Sequence, residues 1–276
     1  MNRKPGPISR SDDPRDYQDV QRPLAAMAKS FPEHFEIRSH FHERDQFLYA
    51  VRGVMRVRTE NETWIVPPDR AVYIPARTVH AISIRGGLEM RTLYLIPDAG
   101  PGLPVAPIVL EVTDLLRNLV LALIDEPLLY DEAGRGGALV QLILSEITGA
   151  RHLALGVPMP RDDRLARLCT ALLADPSSRL TLEGWSEMAG ASARTLARLF
   201  AHEIGMSFGA WRRRVRFHNA IEEIVAGDPV GRVASRNGYH SASAFSAAFR
   251  REIGVMPSAL ERGITPERLR APELPT

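Results

Sequence analysis

A pattern near the C-terminus occurs twice. Phe200-Ala201-His202-Glu203-Ile204-Gly205 returns as Phe249-Arg250-Arg251-Glu252-Ile253-Gly254, forty-nine positions later. Each copy ends a segment opened by a serine, Ser192 or Ser241. That serine follows a glycine turn, Gly190 or Gly238, and a further helical stretch lies before the turn. Helix, turn, helix, twice, with arginine-rich sequence between, is the layout of two tandem units that read DNA.

Such a unit has a physical requirement: the second helix presents its N-terminal half to the major groove while its other face is anchored in a core. In Ser192–Ile204 the anchors are Leu196, Leu199, Phe200 and Ile204, and the opposite face carries Ala193, Arg194, Ala197 and Arg198. Small residues permit close approach, and Arg194 near the helix start is placed to reach base edges. The second copy is anchored by Phe245, Phe249 and Ile253. Its outward set is Ser241, Ala242, Ser243, Ser246 and Ala247, with Arg250 near the end. The forty-nine-residue offset puts Ser243 opposite Arg194 and Ala247 opposite Arg198, so the second unit relies less on long donors and more on shape. Between the units Arg212, Arg213, Arg214 and Arg216 crowd one helix start and point around much of it. Arg212 and Arg214 are the expected phosphate contacts.

The whole-chain charge is only +2 over 276 residues, so basic character has to be local. The basic residues are almost all arginine, the only lysines being Lys4 and Lys29. One cysteine, Cys169, excludes an internal disulfide and a cysteine-rich zinc site, and its apolar-periodic surroundings predict a buried thiol. No signal-like h-region follows the start, and no run of eighteen apolar residues occurs; a cytoplasmic protein with no membrane partner is expected.

Residues 1–23 read as a flexible leader. From Phe35 to Ile96 the texture is short strands between turns: Gln46–Val51, Val54–Thr59, Thr63–Val66, Ala71–Ile74, His80–Ile84 and Leu88–Ile96. Many short strands without helices mean a sandwich or small barrel. Asp98–Pro107 is a linker rich in glycine and proline. Glu111–Asp125 and Gly137–Thr148 then repeat apolar residues at helical spacing, as dimerisation or core helices. Pro158–Pro160 marks a boundary, and the rest is all helical: Asp162–Ala174, Leu180–Ala189 with Thr181 as cap, Ser192–Ile204, Ser207–Ala226, Val230–Asn237, Ser241–Ile253 and a short helix opened by Pro257. A piece from about residue 160 is expected to fold alone and retain weaker DNA binding.

His40 and His42 lie one residue apart, which on a strand points both side chains to one face. Gln46 follows four positions on, and His80 comes after Pro75-Ala76-Arg77-Thr78-Val79. Three imidazoles brought together across a barrel suit a divalent metal; histidines also simply line pockets.

Residues 179–261 resemble the DNA-binding domain of the AraC/XylS transcription regulators. The resemblance rests on Gly190 through Phe200, Gly205-Met206-Ser207, Trp211 through Arg216, and above all Gly238-Tyr239-His240-Ser241-Ala242-Ser243-Ala244-Phe245 through Arg251 with Gly254-Val255-Met256-Pro257. The chain departs from that pattern at Ala247, where a basic residue is usual, and at Asn237, where a small residue precedes the turn glycine. Residues 34–96 resemble the cupin half that many such regulators carry, through His40-Phe41-His42, Gln46 through Val51, Gly53-Val54-Met55, Trp64 through Pro68, Ala71 through Pro75, and His80. Metal-binding cupins have a glutamate where Gln46 stands, so the resemblance implies an effector pocket rather than a resident metal on His40, His42 and His80.

The expected architecture is mixed, an N-terminal all-β cupin-like barrel followed by an all-α domain with two helix-turn-helix units. Its divisions are a leader 1–23, a sensor domain 24–100, a helical dimerisation or coupling region 108–156 and a DNA-binding domain 161–265. The resemblance implies a regulator that binds promoter DNA and answers to a small-molecule effector. The expected pocket is lined by His40, His42, Gln46, Tyr49, Trp64 and His80. No catalytic residue and no cofactor is expected; the partners are double-stranded DNA, the effector, a second copy of the chain, and RNA polymerase as a further candidate. The competing readings are a metal-dependent cupin enzyme and a ligand-independent repressor.

Overall fold

The computed structural model describes residues 11, 13–153 and 155–262. The chain divides into two compact units, one of residues up to 57 together with 66–154, the other of residues 58–65 together with those from 155 on.

The strands in chain order are β1 (Leu24–Phe31), β2 (Phe35–His40), β3 (Asp45–Arg52), β4 (Met55–Arg58), β5 (Glu62–Val66), β6 (Arg70–Ile74), β7 (His80–Ile84), β8 (Leu88–Leu95) and β9 (Ile108–Glu111). Helices α1 (Asp114–Asp125) and α2 (Arg135–Gly149) follow, then the short strands β10 (His152–Leu153) and β11 (Gly156–Pro158). In the first unit one sheet runs β1-β8-β3-β6-β9-β10, its pairs antiparallel, and β4, β7 and β2 lie side by side. The six strands foreseen between Gln46 and Ile96 are present within a residue or so of their expected bounds.

Strand β3 is buried along nearly its whole length because both of its faces are covered. Its odd-numbered residues Phe47, Tyr49 and Val51 join Tyr73, Leu93 and Leu95 in a core shared with Leu116, Leu119, Val120 and Leu123 of α1 and Val140, Ile143 and Ile147 of α2. The even-numbered set, beginning with Gln46, points the other way. Helix α1 starts where the Thr113 hydroxyl accepts the Leu116 N–H at 3.0 Å. Each fully buried leucine, isoleucine or valine in this core contributes roughly 1.5–3 kcal/mol.

Three boundaries differ from expectation. Residues 1–10 and 12 of the expected leader lie outside the described residues, but Pro14–Tyr17 form a 3-10 turn and Tyr17 is buried, 6.0 Å from the Tyr94 ring centroid. An aromatic ring and a run of hydrogen-bonded carbonyls hold this segment down. Strand β1 was missed because its small residues Ala25, Ala26 and Ala28 gave no strand signature. The region expected to be helical from 108 opens instead with β9, whose Val109 and Leu110 extend the sheet beside β6.

The second unit holds α3 (Asp163–Ala174), α4 (Leu182–Ala189), α5 (Ala193–Leu199) running into a π-helical turn over Phe200–Ile204, α6 (Phe208–Val225), α7 (Val230–Arg236), α8 (Ala242–Ile253) and α9 (Pro257–Arg262). Residues 263–265 of the expected DNA-binding domain lie outside the described residues. Leu165, Leu168, Cys169 and Leu172 of α3 pack with Trp185, Leu196, Phe200, Trp211 and Val215. Burial there pushes the Cys169 thiol pKa up, so it stays protonated and inert.

The expected boundary at Gly156–Pro160 is not a free linker. Strand β11 pairs with β5, Gly156 opposite Trp64. Val157 is fully buried in the core around α3, and Trp211 donates its indole N–H to the Pro158 carbonyl at 2.8 Å. A C-terminal fragment begun at residue 160 therefore loses a buried valine and orphans a buried indole N–H, a cost of about 2 kcal/mol. A fragment begun at residue 155 is expected to melt several degrees higher. Parallel thermal melts of the two fragments check this, and equal midpoints would refute it.

Candidate nucleic-acid interface and ligand pocket

The two helix-turn-helix units repeat the same local construction. In each, the turn glycine has positive φ, +69° at Gly190 and +79° at Gly238, a region that side chains with a Cβ enter at a cost. The second helix then opens on a serine cap: Ser192 accepts the Thr195 N–H and Ser241 the Ala244 N–H, both at 3.2 Å. Asn237 adapts to its place before the second glycine by donating its side-chain N–H to the Val233 carbonyl at 2.8 Å.

The anchors fall as the spacing required. Leu196, Phe200 and Ile204 are buried in the first unit, and Phe245, Phe249 and Ile253 in the second. Phe217 of α6 closes the second core edge-on against Phe245 and Phe249, with centroids 5.8 and 5.6 Å away. On the outer faces Arg194, Ala197 and Arg198 are exposed with Ala193 half-buried. Ser241, Ala242, Ser243, Ala247 and Arg250 are exposed with Ser246 half-buried. The Ser241 hydroxyl is already used as a cap, so it is a poor candidate for base reading.

The α6 arginines separate by contact. Arg214 does not face a ligand: it donates to Glu252 at 3.1 Å and to the Gly156 carbonyl at 3.2 Å. The phosphate contact expected of Arg214 is corrected accordingly, because its position on α6 faces the start of the unit and the end of α8. Arg212 lies over the Phe208 ring and donates once, to the Leu180 carbonyl at 3.0 Å. Arg216, which had no assigned role, donates to the Pro176 and Ser178 carbonyls at 3.1 and 2.9 Å.

In the first unit His40 stands at the end of β2, paired in register with His80 at the start of β7. His42 lies in the loop beyond β2, so the two residues converge through a loop and not through strand alternation. A ligand nitrogen of each of the three rings lies within 4.8 Å of the others. His80 donates Nδ1–H to the Thr78 carbonyl at 2.8 Å, and His40 Nδ1–H to the Arg38 carbonyl at 2.7 Å, since a carbonyl only accepts. Burial pushes the His42 and His80 pKa values down to about 4, helped in both by the neighbouring His40. His80 Nε2 is therefore a bare lone pair at neutral pH, and it, His42 Nε2 and Gln46 Oε1 are buried without a partner.

His42 and Gln46 stand at the polar end of a cavity of about 420 Å³ whose apolar wall includes Met27, Phe31, Ile37, Ile82 and Met90. His40, His42 and Gln46 line it, with Tyr94, whose hydroxyl accepts from Gln46 Nε2 at 3.4 Å. Of the residues expected there, Tyr49, Trp64 and His80 do not line it, and His80 packs behind His40 with ring centroids 4.3 Å apart. Tyr49 is odd-numbered on β3 and packs on the helix-facing core, and Trp64 is buried on β5 opposite Gly156. Tyr94 was missed, although it sits opposite Gln46 in the β3–β8 register, and the parity of Met90 and Tyr94 in β8 was the available signal.

The depressed histidines give a pH dependence. Between the ordinary imidazole value of 6.5 and about 4, the folded unit binds fewer protons than the unfolded chain, so its stability rises with pH through that window and is lost on acidification. Melting curves at about pH 7 and pH 5 are expected to show a smaller drop for His80→Gln than for the parent protein. An unchanged drop would place the acid sensitivity elsewhere.

The comparisons with known proteins agree with this construction. A family model described as "Helix-turn-helix domain" matches residues 185–263, and one described as "Cupin domain" matches residues 29–96. The chain is 28% identical over 218 residues to the HTH-type transcriptional regulator NimR of Escherichia coli (strain K12), covering 79% of this chain and 80% of that protein. It is 24% identical over 253 residues to the HTH-type transcriptional activator RhaR of Klebsiella pneumoniae, covering 84% and 89%. Among solved structures, fatty-acid-bound ToxT from Vibrio cholerae overlaps 88% of this chain and 96% of its own at 11% identity, with a TM-score of 0.37, too low to transfer any detail of its ligand. The fold and the two capped reading helices define a DNA-binding transcription regulator. The chain carries an AraC-type helix-turn-helix domain and an N-terminal cupin domain, and the relatives it resembles are AraC-family regulators. Among the described residues no helix is long and apolar enough to cross a membrane.

Proposed function

We propose that this chain is a one-component regulator whose cupin-like cavity binds a small-molecule effector and whose C-terminal unit holds promoter DNA. The observation that carries the effector site is a largely apolar cavity lined by two residues with unpartnered buried polar atoms, Gln46 Oε1 and His42 Nε2, with the His80 ring behind them 5.6 Å from His42. Buried acceptors left alone cost free energy, so the site favours a ligand with an apolar body and a hydrogen-bond-donating head. The protein acts in the cytoplasm without catalysis. Leu115 on α1 and Leu142 on α2, both about half exposed, support a homodimer through these helices. Contact with RNA polymerase would follow from activation at a promoter.

One observation favours a second reading of the same site. Three imidazole nitrogens within 4.8 Å are a donor set suited to a divalent transition metal, and the Arg38 and Thr78 carbonyls that accept from Nδ1 of His40 and His80 fix the orientation of two of the rings. The fourth position offers only the neutral amide of Gln46, so affinity is weaker than with a carboxylate there. A metal-dependent enzyme leaves the C-terminal units without a task, and a ligand-independent repressor leaves the acceptors without one.

The test uses an operator found by genomic footprinting and a reporter driven from it. Gln46→Ala is expected to bind that operator within about twofold of the parent protein while losing the effector response. Gln46→Glu is expected to raise zinc content on purification by supplying an anionic ligand. A normal response in Gln46→Ala would move the effector out of this cavity.

A further inference from the structure

A positively charged seam lies between the two helix-turn-helix units. A cleft of about 490 Å³ there is walled by Arg179, Arg212, Arg216, Tyr239 and His240. An adjoining cleft of about 270 Å³ shares Arg212 and Arg216 and adds Arg213. Among the described residues no carboxylate lines either cleft. Arg236 at the rim is neutralised by Asp228 and Glu223. The other four are not: Arg212 and Arg216 donate only to backbone carbonyls, and Arg179 and Arg213 make no bond among the described residues. Burial, then the charges of Arg212 and Arg179, push the Arg216 pKa down, the signature of like charges crowded together. Four guanidiniums without an acid are a site for an anion with several acceptor oxygens.

The position of the cleft says which anion. Its walls are the segment just before α4, the N-terminal half of α6 and the turn Asn237–His240 that leads into α8. In a helix-turn-helix the first helix crosses the sugar-phosphate backbone, while the turn delivers the second helix into the groove. Here the start of one unit's first helix and the turn of the other unit meet at a single positive cleft. Helix α8 also needs such a hold, because its outward Ala242, Ser243 and Ala247 supply no long donors of their own.

We propose that this cleft is a phosphate clamp that grips the backbone of duplex DNA between the two reading helices, with Arg179 and Arg213 as its free donors and Arg212 and Arg216 as its held ones. The inference rests on the DNA-binding reading above.

The test is fluorescence anisotropy of the full chain on an arbitrary-sequence duplex of about 30 base pairs, titrated at salt concentrations from about 50 to 200 mM. Arg179→Ala and Arg213→Ala break no described bond, so both are expected to fold as the parent does. Each is expected to lower the salt slope by about one, a loss of roughly fourfold in salt sensitivity across that range, and the double variant by about two. Arg179→Lys should restore most of the slope, and Arg58→Ala, on β4, should leave it unchanged. Parent-like slopes in both alanine variants would overturn the clamp. If tripolyphosphate raises the melting point of the parent protein but not of Arg179→Ala while the slopes stay equal, the cleft serves a free anion and the clamp is likewise overturned. Failure of the parent to bind any duplex at low salt would instead remove the DNA-binding reading beneath it.

Discussion

Arg44→Ala should cost the β unit about 3–4 kcal/mol and release residues 13–23 from its surface. Arg44 is 5% exposed, and its hydrogen bonds among the described residues all go to backbone carbonyls. Its Nε donates to Gln18 at 2.7 Å, one terminal nitrogen to Arg22 at 3.0 Å and to Tyr94 at 3.5 Å, and the other to Val20 in a shorter bond. Hydrogen bonds to a charged donor contribute more than neutral ones, and truncation leaves those carbonyls without their partner. Burial pulls the Arg44 pKa down, yet arginine has ample reserve to stay charged. Arg44→Lys is expected to recover little, because a single ammonium cannot span four carbonyls fixed in a fork. Denaturant unfolding gives the energy, and limited proteolysis reports the release. Pro14 forms part of the cavity wall, so the variant should also weaken effector binding. A loss under about 1 kcal/mol with parent-like proteolysis would show that Tyr17 alone holds the segment.

The expected leader failed for a reason that Arg44 makes plain. A guanidinium that binds carbonyls leaves no trace in the side chains of the segment it binds, so Gln18 to Arg22 read as polar sequence and nothing more. Strand β11 failed similarly: three residues pair with Trp64, Thr63 and Glu62 across about ninety positions, beyond the reach of any local pattern. What was legible was local. The serine caps, the turn glycines and the anchors Leu196, Phe200, Phe245 and Phe249 are all set within one or two helical turns, where the 3.6-residue period decides burial. The histidine cluster was legible as a set of residues through the cupin resemblance, but its neighbours were not. Tyr49 and Tyr94 exchanged places because face assignment on β3 and β8 depends on parity in a register that only the paired strands reveal. The arginines of α6 were ambiguous for a related reason. Four of them within five positions cover most of the helix circumference, and only the packing against two cores determines that Arg214 turns toward Glu252 while Arg213 turns outward.

That division of arginines gives a contrast measurable on one operator. Arg194→Ala is expected to flatten discrimination among operator variants by about 1–3 kcal/mol at the base it contacts, a bidentate pair with guanine being the arrangement that reaches this size. Arg194 is exposed near the start of α5, behind the Ser192 cap, with Ala193 and Ala197 beside it to admit the groove wall. No hydrogen bond or ion pair among the described residues holds its side chain, so the substitution should leave the melting point unchanged. Arg214→Ala should do the reverse. It breaks a half-buried pair with Glu252 and a bond to the Gly156 carbonyl, so stability falls by about 1–2 kcal/mol while base preference is kept. Competition binding against single-base operator variants, run beside thermal melts, separates the two effects. Equal losses for Arg194→Ala on every sequence would make that residue a phosphate contact, since a backbone contact carries no base preference and would instead lower the salt slope by about one.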